Sequence, residues 1–403
     1  MGGRHGRGRG GADLSEPARP AAQPLVVYGE RSLDYDFGPG HPLTPRRFGP
    51  AIDLLRAIGA SHFLEPGPAS RQELERLHQP GYVDAVMRFS ADPGLPPARG
   101  IGPGDCPAFA GMHEASAAVA GGSLAAMRGI LAGELPHAFH PGGGLHHAMA
   151  GHASGFCIYN DVALAIAMAR DAGERVLYVD LDVHHGDGVE ALFWDEPDVV
   201  TFSIHESGLT LFPGTGFVEE RGAPHARGTA VNLPLLAGTG DASWVAAVER
   251  IVPALADAFG PTLLVTQHGC DSHAFDPLAH LRLTTAAYRR ATALLDEVAH
   301  RYAGGRWLAT GGGGYDAYRV VPRSWALVWL AQAHLELPLQ TPEPWRERWA
   351  AEAATHDQGP PPQALLDAAG TVGPEPESIA ASNRRHAEAA LSGALRHLHG
   401  GFE

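Results

Sequence analysis

Apolar residues along this chain fall into two alternating textures. Short, nearly unbroken runs stop abruptly at polar or glycine residues: "PLVVY", "HAFH", "RVLYVD", "DVVTFSIH", "TLLVTQ" and "RWLAT". Between them lie longer stretches, near 111–133, 161–172, 241–259, 285–302 and 321–335, whose apolar positions recur at helical spacing. The short runs read as strands buried on both faces, and the long stretches as helices covering them. Such alternation predicts a single α/β domain over 24–340, a doubly wound, mostly parallel sheet with helices on both faces. No internal repeat of fixed period interrupts the pattern. Residues 1–23, rich in Gly, Arg and Pro without apolar periodicity, predict a disordered tail. Residues 341–403 predict an extension of loops with a closing helix.

Composition narrows function mainly by exclusion. With 403 residues and 44% hydrophobic content, the chain can bury a large core. No run of eighteen apolar residues occurs, so no membrane span is expected. The N-terminus has no apolar signal core, and "MGGRHG" lacks the Ser/Thr of a myristoylation signal. Cys106, Cys157 and Cys270 are widely spaced and odd in number, which points to a reducing cytoplasm rather than a disulfide framework or a CxxC metal site. The net charge of -15 disfavours a nucleic-acid partner, which would need a basic footprint. All 30 basic residues are arginine, so a Walker-type phosphate loop, a Schiff-base lysine and any other catalytic lysine are excluded.

Candidate chemistry collects at strand ends, where open parallel sheets bind their ligands. "RVLYVD" ends at Asp180 and runs on into "LDVHHGDG", "TLLVTQ" into "HGCDSH", "HAFH" into "PGGGLHHA", and "RWLAT" into "GGGGY". Asp182 and His184, two apart, point to the same side of an extended backbone. With Asp271 from another strand end they would give three protein ligands and an open position, the arrangement of a catalytic zinc site. Alone, an Asp-x-His pair is better explained by hydrogen bonds to loop amides; the other three clusters weigh against that. The adjacent His146 and His147 read as a general base and a charge-stabilising partner. Each would need an acid at its far nitrogen, and Asp180 and Asp187 are the right number of acids. Tyr315, after four glycines, could set a phenol hydroxyl over a metal to stabilise an oxyanion, though a packing tyrosine after a turn is the plainer reading. Phe156 and Phe212 are core residues by default and pocket walls only in this context.

Taken in order, "YDFGPGHPLTPRR", "GDCPAF", "PGGGLHHAMAGHASGFCIYND", "VDLDVHHGDGVEALF", "LFPGTG", "GCDS" and "GGGGY" resemble the zinc-dependent histone deacetylase superfamily, most closely its bacterial acetoin-utilisation-type branch. The resemblance runs from about Leu25 to about Leu335. It implies an arginase/deacetylase-like fold and hydrolysis of the acetyl amide of Nε-acetyl-lysine, on an acetylated protein or a small acetylated amine. It also implies Asp182, His184 and Asp271 as metal ligands, with Zn2+ or Fe2+ suited to them. Asp180 would support His146, and Asp187 would support His147 as the general acid–base. Tyr315 would polarise the carbonyl. Gly155, Phe156, Phe212 and Leu278 would shape a narrow substrate tunnel, and Asp105 would bind substrate amides at its rim. A structural K+ or Na+ would sit on Asp180 and Asp182 with main chain of His184, Ser203 and Ile204. A second would sit at Phe193, Glu196 and Val199.

Three rival readings remain at this level. Two-metal ureohydrolases of the same fold carry an Asp-x-His-x-Asp run, but here Gly186 takes the place of the last acid and His273 that of a later one. Acetylpolyamine hydrolysis would need an acidic mouth and an insertion there, which the sequence does not display. An inactive module that binds acetylated ligands should have lost a histidine, a ligand or the tyrosine, and none is lost.

Overall fold

The computed structural model describes residues 23–398. The expected N-terminal tail, apart from Gln23, lies outside the described residues, as does 399–403. At the centre is one sheet of eight parallel strands. They are β1 Leu25–Val27, β2 Phe63–Leu64, β3 His137–His140, β4 Val176–Asp180, β5 Val199–Glu206, β6 Ala230–Leu235, β7 Leu263–Gln267 and β8 Trp307–Thr310. Their spatial order is β2-β1-β3-β8-β7-β4-β5-β6. The four strands whose ends carry the candidate chemistry, β3, β8, β7 and β4, are therefore contiguous in the middle of the sheet.

Helices cover both faces, as the alternating pattern predicts. The first six are α1 Phe48–Ala57, α2 Arg71–Leu74, α3 Pro80–Ala91, α4 Met112–Leu131, α5 Asp161–Asp171 and α6 Asp187–Leu192. The remainder are α7 Asp241–Phe259, α8 Thr285–Tyr302, α9 Val321–Gln332, α10 Glu343–Thr355 and α11 Glu377–Leu398. Along β4, Leu177 and Val179 join the core shared with α1, α7, α8 and α9, while Val176 and Tyr178 join the core shared with α4 and α5. All four side chains are buried. Full burial of an aliphatic side chain stabilises by about 1.5–3 kcal/mol, so β4 is held from both sides and its end is a rigid mount.

Two strands have no counterpart among the expected ones. β2 is only two residues long, too short to show a period. β6, "AVNLPL", is interrupted by Asn232 and Pro234 and lies at the sheet edge, where a proline costs no ladder bond. Its exposed side is covered from far along the chain by α11: His386 Nδ1 donates to the Pro234 carbonyl at 2.7 Å, and Asn383 Oδ1 accepts from the Leu236 amide at 3.1 Å. The segment after 340 thus packs into the main core. Trp345 on α10 likewise donates its Nε1 proton to the Pro50 carbonyl of α1 at 2.7 Å.

Candidate active site

Beyond β4 the chain turns sharply and buries three acids, with Asp180, Asp182 and Asp271 each at most 1% exposed. Asp271 arrives from the end of β7. Its Oδ1 accepts from the Val183 amide at 2.9 Å, and its Oδ2 lies 3.2 Å from His184 Nδ1. Asp182 Oδ1 lies 3.1 Å from the same nitrogen. Two glycines make this convergence possible. A Cβ at Gly269 would meet Asp182 Oδ2 at 2.0 Å, and one at Gly313 would meet Asp271 Oδ2 at 1.9 Å. Asp182, His184 and Asp271 each offer a ligand atom, all within 4.8 Å of one another. The spot favours positive charge: burial alone would depress the His184 imidazole, but Asp182 and Asp271 outweigh it and raise it to about 10. Burial and the charge of Asp182 push the Asp271 carboxyl up to about 6. A buried nitrogen-and-oxygen donor set of this kind fits a divalent transition ion.

The turn after β3 brings in the histidine pair. Asp161, at the start of α5, pins this turn by accepting from the Gly144 and Leu145 amides at 3.1 and 2.8 Å. Asn160 Nδ2 donates to the carbonyls of His146 and Ala148 at 3.2 and 3.0 Å. His146 Nδ1 then meets Asp180 Oδ2 at 2.7 Å, and His147 Nδ1 meets Asp187 Oδ1 at 2.7 Å. The two Nε2 atoms stand 3.0 Å apart. Burial lowers both rings, but Asp180 and Asp182 outweigh it at His146 and raise that ring to about 9. At His147 the neighbouring His146 adds to burial and the ring falls to about 4.

Tyr315 completes the set. Its amide donates to Asp276 Oδ2 at 2.9 Å and its carbonyl accepts from Gln358 Nε2 at 3.0 Å, fixing the residue from both sides. Among the described residues its hydroxyl has no hydrogen-bond partner. Burial, then Asp271 and Asp182, push the phenol well above its ordinary range, so it remains a donor. A cleft lined by Leu43, Phe156, His146, His147, His184 and Tyr315 leads to these groups. Phe156 meets the Tyr315 ring edge-on at 6.1 Å, and Phe212 meets His147 at 5.0 Å and His184 at 6.3 Å. Gly155 adopts φ 52°, and a Cβ there would fall 2.2 Å from His147 Cδ2. Asp105 is exposed and accepts from the Gly155 amide at 2.9 Å. Leu278 is half-buried with its amide on Asp276 Oδ1 at 3.0 Å, and it does not line the cleft.

Asp180 and Ser203 are cross-strand partners of β4 and β5, with Ile204 next in β5. Asp180 is the last residue of β4 and Ser203 and Ile204 lie within β5, while Asp182 and His184 follow just beyond the end of β4. Farther back, the Glu196 amide donates to the Phe193 carbonyl at 3.0 Å, and Val199 opens β5. The Glu196 carboxylate is engaged by Arg170 at 2.7 Å.

Two supporting residues are given no role by the sequence reading. Arg47 is buried and donates from Nη1 to the Gly312 carbonyl at 2.6 Å, bracing the glycine turn that carries Tyr315. Gln267, the last residue of β7, donates to Asp182 Oδ2 at 2.7 Å and accepts from the Gly269 amide at 2.7 Å. The one hint for Arg47 is an arginine pair between apolar residues in "LTPRRFG".

The histone deacetylase domain profile matches residues 41–332. The acetoin utilization protein AcuC of Bacillus subtilis (strain 168) is 42% identical over 334 residues, 81% of this chain and 86% of that protein. AcuC of Staphylococcus xylosus is 36% identical over 331 residues, 80% of this chain and 86% of its own length. A crystal structure of an HDAC homologue complexed with SAHA superposes with a TM-score of 0.78 at 28% identity, covering 91% of this chain and 99% of that one.

Proposed function

The chain belongs to the histone deacetylase family, and from that premise we propose that it hydrolyses the acetyl amide of Nε-acetyl-lysine in proteins, releasing acetate. One observation carries the reading: three convergent ligands stand beside two histidines, each backed by its own acid, and the phenol of Tyr315.

Asp182, His184 and Asp271 would hold one divalent ion, zinc or ferrous iron. When bound, such an ion lowers the pKa of a water towards ~7 and polarises the amide carbonyl. His147, neutral and oriented by Asp187, takes the water proton at Nε2 and later delivers it to the leaving amine as the C–N bond breaks. His146, kept charged by Asp180, stabilises the negative charge of the transition state. Tyr315 would donate a hydrogen bond from its hydroxyl to the developing oxyanion. The walls formed by Phe156 and Phe212 suit a long, uncharged aliphatic arm. Asp105 would hold the substrate main chain at the rim. Asp180, Asp182, His184, Ser203 and Ile204 would hold a K+ or Na+ that relieves repulsion between neighbouring acids. The acetoin-utilisation relatives favour an acetylated metabolic enzyme as the protein substrate.

A substrate panel tests this. Purified protein should release acetate from acetyl-lysine peptides with a higher kcat/KM than from acetylated polyamines. Preference for the polyamines would replace the lysine reading. Peptide binding with no acetate released by the metal-loaded protein would replace the enzyme with a binding module.

A further inference from the structure

At the opposite end of β3 from the histidine pair, a second group of potential ligands gathers. His137, Asp296, His300 and His334 each offer one ligand atom, all within 4.8 Å of one another. The three imidazoles form a compact triangle, with ring centroids 5.2, 5.2 and 5.0 Å apart. They come from three separate places in the chain: the first residue of β3, the last turns of α8, and a residue just beyond α9.

His137 makes this more than a chance cluster. Its side chain is 2% exposed, and its Nδ1 lies 2.7 Å from the Gln332 carbonyl. A carbonyl only accepts, so Nδ1 carries the proton and Nε2 carries the lone pair. That Nε2 is buried and, among the described residues, has no hydrogen-bond partner. A histidine whose far nitrogen donates to a carbonyl, fixing the tautomer and leaving the other lone pair free, is in the state a metal ligand needs.

The outer residues complete the set. His300 Nδ1 lies 2.9 Å from the Asp296 carbonyl and 3.3 Å from its carboxylate, which leaves the His300 Nε2 lone pair free. His334 Nε2 stands 3.1 Å from Asp296 Oδ1. Ligand bonds of ~2.0–2.1 Å at a tetrahedral centre put donors ~3.3 Å apart, so this edge is close to coordination length. The His300 and His334 side chains are 46% and 40% exposed, giving an ion a path in from solvent. We propose that His137, His300, His334 and Asp296 form a second, non-catalytic site for a divalent transition ion of the zinc class. Three imidazoles and one carboxylate are its characteristic donors, and the ion would tie β3, α8 and the end of α9 together.

The site is tested on the untagged full-length protein stripped of metal. Co2+ is titrated in, read by the visible absorption of tetrahedral cobalt, with Zn2+ stoichiometry measured by equilibrium dialysis. Two ions per chain are expected. The double variant His300→Gln/His334→Asn should bind one fewer and keep the parent's turnover. Asp182→Ala should lose the other ion, and in that background Zn2+ should still raise Tm. Unchanged stoichiometry in the double variant, or a parent that binds only the ion lost in Asp182→Ala, would overturn the site whatever the substrate panel shows.

Discussion

The Nε2 atoms of His146 and His147 stand 3.0 Å apart, yet one ring is held charged by its acids while burial and that neighbouring charge keep the other neutral despite Asp187. Asp180 and Asp182 together raise His146 to about 9, and its charge helps press His147 down to about 4. A ring protonated at neutral pH cannot accept a proton, so His147 is the member able to act as base. His147→Ala should lower turnover by at least ~10²-fold, the usual scale for general acid–base loss. His146→Ala should cost less, because it removes charge stabilisation and leaves the base. Steady-state kinetics on an acetyl-lysine peptide decide this, and a larger loss from His146→Ala would reverse the assignment.

Activity should depend on the ion held by Asp182, His184 and Asp271 alone. Chelation should stop acetate release, and added zinc should restore it. Asp182→Ala should stay folded by circular dichroism but remain inactive at every zinc concentration. Removing the His300 and His334 ligands should not change turnover. Zinc-restored activity in Asp182→Ala would show that the ligand set is drawn wrongly.

Buried neutral histidines should make the fold acid-labile. His78 Nδ1 donates to the Met149 carbonyl at 3.0 Å and its Nε2 accepts from the Asn160 amide at 3.0 Å, so a second ring proton would face an N–H. Burial lowers His78 to about 4. The folded pKa lies below the unfolded value of about 6.5, so the unfolded chain binds more protons between the two. Stability from this residue is therefore complete above about pH 6.5 and is lost as pH falls towards 4, on the order of 3 kcal/mol. His140 and His268, lowered by burial to about 3, extend the loss further into acid. Urea midpoints across this range should fall with pH, and His78→Gln should flatten the fall. An equal pH slope in the variant would remove His78 from this account.

Legibility in the sequence followed the range of the interactions. β4 could be read because both its faces are buried, so the run "RVLYVD" is apolar without interruption. β6 could not, since Pro234 is tolerated only because the strand is an edge that α11 covers, about 150 residues later. Asp182, His184, His146 and His147 stand in short local runs that suggest chemistry by themselves. Arg47 and Asp161 end two of the recognisable runs and Asp276 lies outside them, but all three act by gripping main chain of other turns, a role that no run by itself discloses. His137 reads as one more position in a buried strand, and its neighbours on α8 and after α9 become its neighbours only through the fold.

Tyr315 offers the sharpest separation of enzyme from binding module. Among the described residues its hydroxyl has no partner, while its main chain is tied to Asp276 and Gln358. The residue is therefore positioned without using the oxygen it would offer to substrate. That oxygen meets the amide carbonyl most strongly as negative charge develops, so its loss should raise the barrier more than it weakens binding. Tyr315→Phe removes only the oxygen and keeps the edge-on packing with Phe156. Turnover should fall by about 10²–10³-fold, by analogy with loss of an oxyanion donor, with peptide Kd little changed. A histidine at this position should cripple the acetyl reaction as well, because its shorter ring would leave the carbonyl oxygen without a donor. Parent-level hydrolysis by Tyr315→Phe would falsify the oxyanion role. A loss expressed wholly in Kd would move Tyr315 from transition-state stabilisation to ground-state binding.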